Sequence, residues 1–156
     1  MEELIGEKET EDKAKNFASL IKGFKNSLLI NLIGNLGAGK TTFVRGLIQE
    51  LGFDEFVKSP TFTIVESYES DNLKVFHFDL YRIEDDKELQ AIGVEDYLTE
   101  ENAITLVEWP EKSKRYFNNP DYIIELNHCD NDEKRLINII KDCLLYTSDA
   151  ADELLG

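Results

Sequence analysis

The residues with the clearest chemical potential lie in one short segment, Gly34-Asn35-Leu36-Gly37-Ala38-Gly39-Lys40-Thr41-Thr42. It follows the pattern of Gly, four residues, Gly, Lys and then Ser or Thr, which is typical of phosphate-binding loops. Glycines let successive backbone N–H groups turn towards phosphate oxygens, and a helix that begins at the loop adds positive potential. We therefore expect Lys40 to reach the β- and γ-phosphates, Thr41 to bind Mg²⁺ and Thr42 to contact a phosphate. The alternative is a glycine-rich strand-to-helix turn without a ligand.

A phosphate loop also needs an acidic residue for the metal and a group that places water or an acceptor. Two runs of strand-forming residues end in a carboxylate, one at Glu108 and the other at Asp79. Because ligands in such sheets lie beyond the carboxyl ends of the strands, we expect Glu108 to face Mg²⁺ and Asp79 either to orient water or to hold the metal through water. Either acid is otherwise an ordinary strand-end residue. His77 shares a strand face with Asp79. We interpret His77 as structural because no residue near it in sequence could act as a nucleophile that it activates.

The segment Ser59-Pro60-Thr61 presents two hydroxyls in a restricted backbone, because proline forces the preceding residue towards an extended conformation. In nucleotide-hydrolysing proteins a loop threonine after the first helix often senses the γ-phosphate and the metal. A simple loop-to-strand junction explains the same residues equally well.

The surrounding pattern predicts the elements that position these residues. Apolar spacing predicts a first helix capped by Thr10 and ending near Gly23, and a second helix over 41–51 that Gly52 terminates. A third helix is predicted over 85–91, ending at Gly93. Apolar runs predict strands over 28–33, 61–68, 73–79, 103–108, 122–126 and 135–140. Together they predict an α/β protein with a central mixed sheet, partly parallel and partly antiparallel, with helices on its faces.

Composition limits the classes of function. The 156 residues fit one domain, and 17 Lys and Arg against 32 Asp and Glu give a formal net charge of −15. Tight autonomous binding to DNA or RNA is not expected, since phosphate backbones are bound by basic residues. No apolar run approaches the ~20 residues that cross a bilayer, so we expect a cytoplasmic protein without a membrane partner. The two cysteines form neither a disulfide framework nor a zinc site.

From Cys143 the chain reads Cys-Leu-Leu-Tyr-Thr-Ser-Asp-Ala-Ala-Asp-Glu, which is what a sequencing adaptor would encode if a reading frame ran into it. We interpret 143–156 as a non-native tail and 1–142 as a single domain. A natural, weakly amphipathic tail is the alternative. The chain remains strongly acidic without this segment.

Four motifs in this order resemble the TsaE family: Gly-Asn-Leu-Gly-Ala-Gly-Lys-Thr-Thr-Phe (34–43), Lys-Ser-Pro-Thr-Phe-Thr (58–63), His-Phe-Asp-Leu-Tyr-Arg (77–82) and Val-Glu-Trp-Pro-Glu-Lys (107–112). This is the bacterial ATPase family of tRNA threonylcarbamoyladenosine (t6A) biosynthesis. The resemblance implies a P-loop NTPase-like fold, ATP and Mg²⁺, and a complex with TsaD and TsaB that handles the tRNA. In that picture the ATP cycle supports the partners, and the chain does not transfer the threonylcarbamoyl group itself.

The resemblance also implies roles for individual residues. Residues Gly37, Ala38, Gly39, Lys40, Thr41 and Thr42 bind the triphosphate, Thr41 and Glu108 hold Mg²⁺, and Asp79 positions water. Thr10 is expected near the adenine and Arg135 near the nucleotide. Trp109 and the Ser59–Thr61 loop are expected near the nucleotide or a partner.

The residues of the chain bear on three alternative classes of protein. A small GTPase needs the Asn-Lys-x-Asp guanine reader and usually an Asp-x-x-Gly switch, and neither occurs in the sequence. A small-molecule kinase is expected to gather arginines around the transferred phosphoryl group, and the sequence shows no arginine-rich lid. The kinase remains an alternative, as does a nucleotide-gated interaction module with marginal hydrolysis.

Overall fold

The computed structural model describes residues 1–24, 26–54, 57, 60, 62–129 and 133–141. Ser59 and Thr61 of the predicted hydroxyl loop, and the whole segment 143–156, lie outside the described residues. In chain order the elements are β1 (Glu2–Ile5), α1 (Gly6–Ile21), β2 (Ser27–Ile33), α2 (Lys40–Glu50), β3 (Val65–Glu69), β4 (Lys74–Asp79), α3 (Lys87–Ala91), α4 (Val94–Leu98), β5 (Ala103–Glu108), a 3₁₀ turn (Pro110–Lys112), β6 (Tyr122–His128) and β7 (Lys134–Lys141).

The strands of this described part form one mixed sheet in the order β1-β7-β6-β2-β5-β4-β3. The four central strands β6, β2, β5 and β4 run parallel to one another, and the outer strands pair antiparallel. In the parallel register Asp79 at the end of β4 stands beside Glu108 at the end of β5. The carboxyl ends of β2, β5 and β4 therefore meet at one edge of the sheet.

The sheet separates two apolar cores, and strand alternation decides which residues enter each. On one face α1 and α2 pack against β2, β4, β5 and β6, with Phe17, Phe43 and Leu106 among the fully buried side chains. On the other face the short helices α3 and α4 cover a cluster that includes Phe78 and Val107. His77 and Asp79 therefore point to the α1 and α2 side, as their spacing predicts.

Most predicted elements are confirmed. The strand over 103–108 has the predicted bounds, and α2 ends before Gly52 as expected. The strands predicted over 61–68 and 73–79 correspond to β3 and β4, which pair antiparallel as a hairpin. The differences are an unpredicted first strand, β1, and an unpredicted helix, α4, which begins directly after Gly93. The predicted strand over 61–68 begins at Val65, and α3 begins at Lys87 rather than at position 85.

The prediction that Thr10 caps the first helix is wrong. The helix α1 begins at Gly6, whose φ of +77° turns the chain directly out of β1. The Glu9 Oε1 accepts a hydrogen bond from the Ile5 N–H at 2.8 Å, so a side chain of the first turn satisfies that donor. Thr10 lies inside α1, is 2% exposed, and donates its hydroxyl to the Gly6 carbonyl at 3.3 Å.

Across the described ranges, none of the helices combines the length and apolar character that a membrane-spanning segment requires.

Candidate functional site

The candidate site is a cleft of about 580 Å³ at the edge where β2, β5 and β4 end. This volume lies within the usual range of small-ligand sites. Ten of the residues predicted from sequence line it: Thr10, Gly37, Gly39, Lys40, Thr41, Thr42, Asp79, Glu108, Trp109 and Arg135. The fold thus brings together residues that are more than 120 positions apart in the chain.

The glycine-rich loop connects β2 to the first turn of α2. Gly37 has φ of +77° and Gly39 has φ of +103°, conformations that glycine adopts without strain. Gly39 directly precedes Lys40, where α2 begins, so the loop opens onto the positive end of the helix dipole. Ala38 does not line the cleft, because its side chain is fully buried in the core and its N–H donates to the Asn35 carbonyl at 3.0 Å.

Lys40 is buried, with 5% of its surface exposed. Its Nζ donates a hydrogen bond to the Gly34 carbonyl and lies 3.6 Å from the centre of the Trp109 ring. Burial lowers the pKa of Lys40 below its ordinary 10.5, although Glu108, Glu111 and Asp79 attract the charged form. The ammonium thus lacks full solvation, which favours a strong interaction with an anion entering the cleft.

Thr41 and Glu108 meet across the cleft floor. The Thr41 hydroxyl lies 3.3 Å from Oε1 and 3.2 Å from Oε2 of Glu108, which is 3% exposed. A hydroxyl and a carboxylate are hard oxygen ligands of the kind that Mg²⁺ takes in nucleotide sites, where waters and phosphates complete its shell. Within the described ranges there is no group of three or more His, Cys, Asp or Glu that could hold a metal by itself. The residues present therefore fit a metal that arrives with a nucleotide.

Asp79 is the second buried acid of the site, at 7% exposure. Its Oδ1 accepts a hydrogen bond from the Tyr81 N–H at 2.9 Å, which fixes the carboxylate at the point where β4 ends. The Leu80 N–H donates to the Glu108 carbonyl at 3.1 Å and keeps the two strand ends together. Asp79 thus faces the same cleft as Glu108 and Lys40.

The outer part of the cleft is framed by α1 and by the start of β7. Arg135 Nη2 donates to the Gly37 carbonyl at 3.3 Å, which ties β7 to the glycine-rich loop. The methyl group of Thr10 and the Arg135 guanidinium both approach Gly39. Glu7 and Glu133, which the sequence analysis did not single out, line the same region. This end of the cleft is therefore polar, with charges of both signs.

Comparison with known proteins assigns the chain to a family. The family model of the threonylcarbamoyl adenosine biosynthesis protein TsaE matches residues 5–137. The chain belongs to the TsaE family. The resemblance that rested on four motifs is thereby confirmed over most of the chain.

Curated relatives of the TsaE family agree with this assignment. The tRNA threonylcarbamoyladenosine biosynthesis protein TsaE of Rickettsia typhi is 37% identical over 147 residues, which cover 94% of this chain and 98% of the relative. The Aquifex aeolicus TsaE is 38% identical over 135 residues, 85% of this chain and 90% of that protein. The crystal structure of Bacillus subtilis YdiB superposes with a TM-score of 0.68 at 27% identity, covering 97% of this chain and 90% of that structure.

His77 contacts a predicted site residue, Glu108, although its own sequence surroundings indicate only a structural role. Its Nε2 lies 2.7 Å from Oε2 of Glu108, and its side chain is fully buried. Strand alternation placed His77 on the same face as Asp79, but the partner lies on β5, 31 residues later. Only the order of the strands in the sheet brings the two side chains together.

Proposed function

We propose that this chain is the Mg²⁺-dependent, ATP-binding and ATP-hydrolysing component of the machinery that makes threonylcarbamoyladenosine on tRNA. It acts with TsaD and TsaB and does not itself transfer the threonylcarbamoyl group. Membership of the TsaE family supports the pathway. The observation that supports the ATPase role most directly is the contact of Thr41 with Glu108. Thr41 directly follows Lys40 in sequence, and its hydroxyl lies 3.2 to 3.3 Å from the Glu108 carboxylate oxygens.

In this proposal the phosphates lie in the glycine-rich loop. Backbone N–H groups of Gly37 and Gly39 and the start of α2 bind the phosphate oxygens. Lys40 exchanges its contacts with the Gly34 carbonyl and the Trp109 ring for the β- and γ-phosphates. The exchange is favourable because burial already disfavours the unpaired ammonium, as its lowered pKa indicates. Thr10 and Arg135 contact the outer part of the nucleotide.

The two acids have different tasks in the proposed reaction. Glu108 and Thr41 hold Mg²⁺, which when bound neutralises charge on the terminal phosphates. Asp79 holds and orients the attacking water, since its carboxylate is fixed by the Tyr81 N–H and faces the same cleft. Lys40 stabilises the charge that develops on the phosphoryl oxygens.

The strong negative charge of the chain supports a division of labour with its partners. With 32 acidic against 17 basic residues, the chain is poorly suited to hold tRNA, so the tRNA is bound by the complex. We place the protein in the cytoplasm, where tRNA is modified in bacteria. Hydrolysis by the isolated chain is expected to be slow and to rise when the partners bind.

The first test is phosphate release from Mg·ATP by the full chain, alone and with a TsaB–TsaD pair. We expect release to rise with the pair and to vanish in Lys40→Ala. Lys8→Ala is the matched control, because the Lys8 side chain is 82% exposed and lies outside the cleft. Transfer of phosphate to a small-molecule acceptor, without stimulation by the pair, would favour a kinase instead. Tight Mg·ATP binding without turnover, even with the pair, would favour a nucleotide-gated interaction module.

A second test concerns the metal. In Glu108→Ala, nucleotide affinity measured with Mg²⁺ should fall, whereas the affinity measured in EDTA should change little. An equal loss under both conditions would show that Glu108 does not act through the metal.

A further inference from the structure

We infer that His77 is a positioning residue that holds the Glu108 carboxylate in the orientation in which it binds Mg²⁺. The inference rests on the proposed function, because it concerns the same metal site. The sequence alone favoured a purely structural histidine, and the observations that change this interpretation come from the sheet.

The first observation is the geometry of the pair. The His77 Nε2 and the Glu108 Oε2 are 2.7 Å apart, a short distance for a hydrogen bond to a charged oxygen. His77 is 0% exposed and Glu108 is 3% exposed, so water does not compete for the contact. The two side chains stand on neighbouring parallel strands, β4 and β5, which fix the distance between them. The contact is therefore built into the sheet.

The second observation is that only one of the two ring nitrogens of His77 has a hydrogen-bond partner among the described residues. A carboxylate only accepts, so Nε2 carries the hydrogen that lies on Glu108. The Nδ1 atom is buried and has no hydrogen-bond partner in the described part of the chain. A histidine kept only to fill the core would gain most from satisfying both nitrogens or from being replaced by an apolar residue. In this structure Nδ1 is left without a partner while Nε2 keeps its hydrogen bond to Glu108, which favours a role in orienting the carboxylate.

The third observation concerns Oε1, the carboxylate oxygen of Glu108 that His77 does not contact. Oε2 accepts from His77 and from Thr41, whereas Oε1 accepts a hydrogen bond from the Thr41 hydroxyl alone among the described residues. His77 thus restrains Oε2, while the Thr41 hydroxyl lies at nearly the same distance from both carboxylate oxygens, so Oε1 is left beside the hydroxyl that would share the metal. Mg²⁺ demands near-ideal octahedral geometry, so its affinity depends on a carboxylate that does not rotate. Replacing a residue that hydrogen-bonds to a metal ligand and orients it commonly lowers metal affinity about 10- to 100-fold.

The test compares three substitutions at one position by the affinity of a fluorescent ADP analogue, measured with Mg²⁺ and in EDTA. His77→Leu and His77→Asn should lose about 10-fold or more of the affinity gained from Mg²⁺, because Leu has no donor and Asn is too short. Their affinity in EDTA should stay within about twofold of the unsubstituted chain. His77→Gln should retain most of the Mg²⁺ effect, since its amide N–H reaches about as far as Nε2.

Val75→Ala is the matched control for a general loss of stability. Val75 is fully buried on the same face of β4, and in the register of β4 and β5 it pairs with Ile104, four residues before Glu108. It should lower the melting temperature and leave the Mg²⁺ effect unchanged. If His77→Leu does not fold, the comparison of the Asn and Gln variants carries the test alone.

A second readout does not need nucleotide. Long-range ¹H–¹⁵N correlation spectra of the metal-free protein should show His77 with its hydrogen on Nε2. A hydrogen on Nδ1 would overturn the inference.

The failures of the two proposals are distinguishable. If the unsubstituted chain binds nucleotide equally well with Mg²⁺ and in EDTA, the magnesium site fails, and the role of His77 fails with it. If Mg²⁺ strengthens binding equally in the unsubstituted, Leu and Asn chains, only the inference about His77 is wrong. Equal losses with Mg²⁺ and in EDTA would show that His77 supports the fold and does not act through the metal.

Discussion

Replacing Asp79 by Asn should distinguish a role of this residue in the proposed reaction from a role in stabilising the fold. The change keeps the size of the side chain and its Oδ1, which accepts the hydrogen bond from the Tyr81 N–H at 2.9 Å. It removes one negative charge from a buried position that attracts Lys40. We therefore expect the main effect on the water that Asp79 would orient and a small effect on stability.

The expected magnitudes differ enough to be told apart. A hydrogen bond to a charged acceptor contributes about 1 kcal/mol more than one to a neutral acceptor, so Asp79→Asn should lower the free energy of unfolding by roughly 1 kcal/mol. Loss of a positioned acid or base slows a reaction about 100-fold or more, which corresponds to about 2.7 kcal/mol of barrier. Affinity for Mg·ATP should be equal or higher, because a charge that repels the phosphates is removed.

The assay is single-turnover phosphate release with the TsaB–TsaD pair, together with nucleotide affinity and urea denaturation. Asp121→Asn is the matched control, since Asp121 Oδ2 also accepts a backbone hydrogen bond, from the Leu29 N–H at 2.8 Å, at the opposite end of the strands. It should match the unsubstituted chain in rate. A rate in Asp79→Asn within about threefold of the unsubstituted chain would refute the assigned role. Loss of folding would show that Asp79 is a structural strand-end residue.

Three further outcomes are expected. The pKa of Lys40 is lower in the folded than in the unfolded chain, so the unfolded state binds more protons between the two values. The free energy of unfolding without nucleotide should therefore rise with pH in the window below 10.5, and Lys40→Met should lack this contribution in urea denaturation at several pH values. In the same window nucleotide affinity should fall as pH rises, because the ammonium that binds phosphate is lost; calorimetric titrations that find no dependence beyond that of Lys40→Met would contradict this. In Gly46→Ala the new Cβ would lie 2.9 Å from the Glu11 carbonyl oxygen on α1, so overpacking of about 1–3 kcal/mol outweighs a gain of about 1 kcal/mol in helix propensity. Denaturant unfolding should show a net loss for Gly46→Ala but none for Gly23→Ala, where a Cβ meets nothing within 4 Å.

Much of the central sheet could be predicted because its strands are short apolar runs. The edge strand β1 could not, since only Leu4 of its four residues is buried and its pairing with β7 specifies it. That missed strand also explains the error at Thr10, because α1 begins where β1 ends. Gly93 follows the end of α3 as predicted, but its left-handed conformation also begins α4. These elements depend on contacts that are distant in sequence or on a few residues without periodicity.

The candidate site follows the same rule: the residues that lie in local motifs could be predicted, whereas the contacts between distant segments could not. Motif spacing identified the loop, Thr41, Glu108 and Asp79, since each carries its signal within a few residues. The contact of His77 with Glu108 has no local signal, because it depends on β4 and β5 being neighbours in the sheet. The place of Trp109 above Lys40 likewise depends on a turn after β5, where Trp109 has φ of +60°. Local motifs thus indicate which residues line the cleft better than they indicate contacts that depend on the order of the strands.

The contacts around Glu108 connect the glycine-rich loop to the mouth of the cleft. Trp109 follows Glu108 directly, lies against Lys40 on one side, and stands 5.0 Å from the Tyr81 ring on the other. Tyr81 is 43% exposed, so this short chain of contacts runs from the buried lysine to the surface. If Lys40 turns to a phosphate as proposed, the Trp109 ring loses the cation that lies 3.6 Å from its centre, and Trp109 keeps its contact with the exposed Tyr81 ring. In the proposed function, these contacts would connect the bound phosphate to the surface at Tyr81.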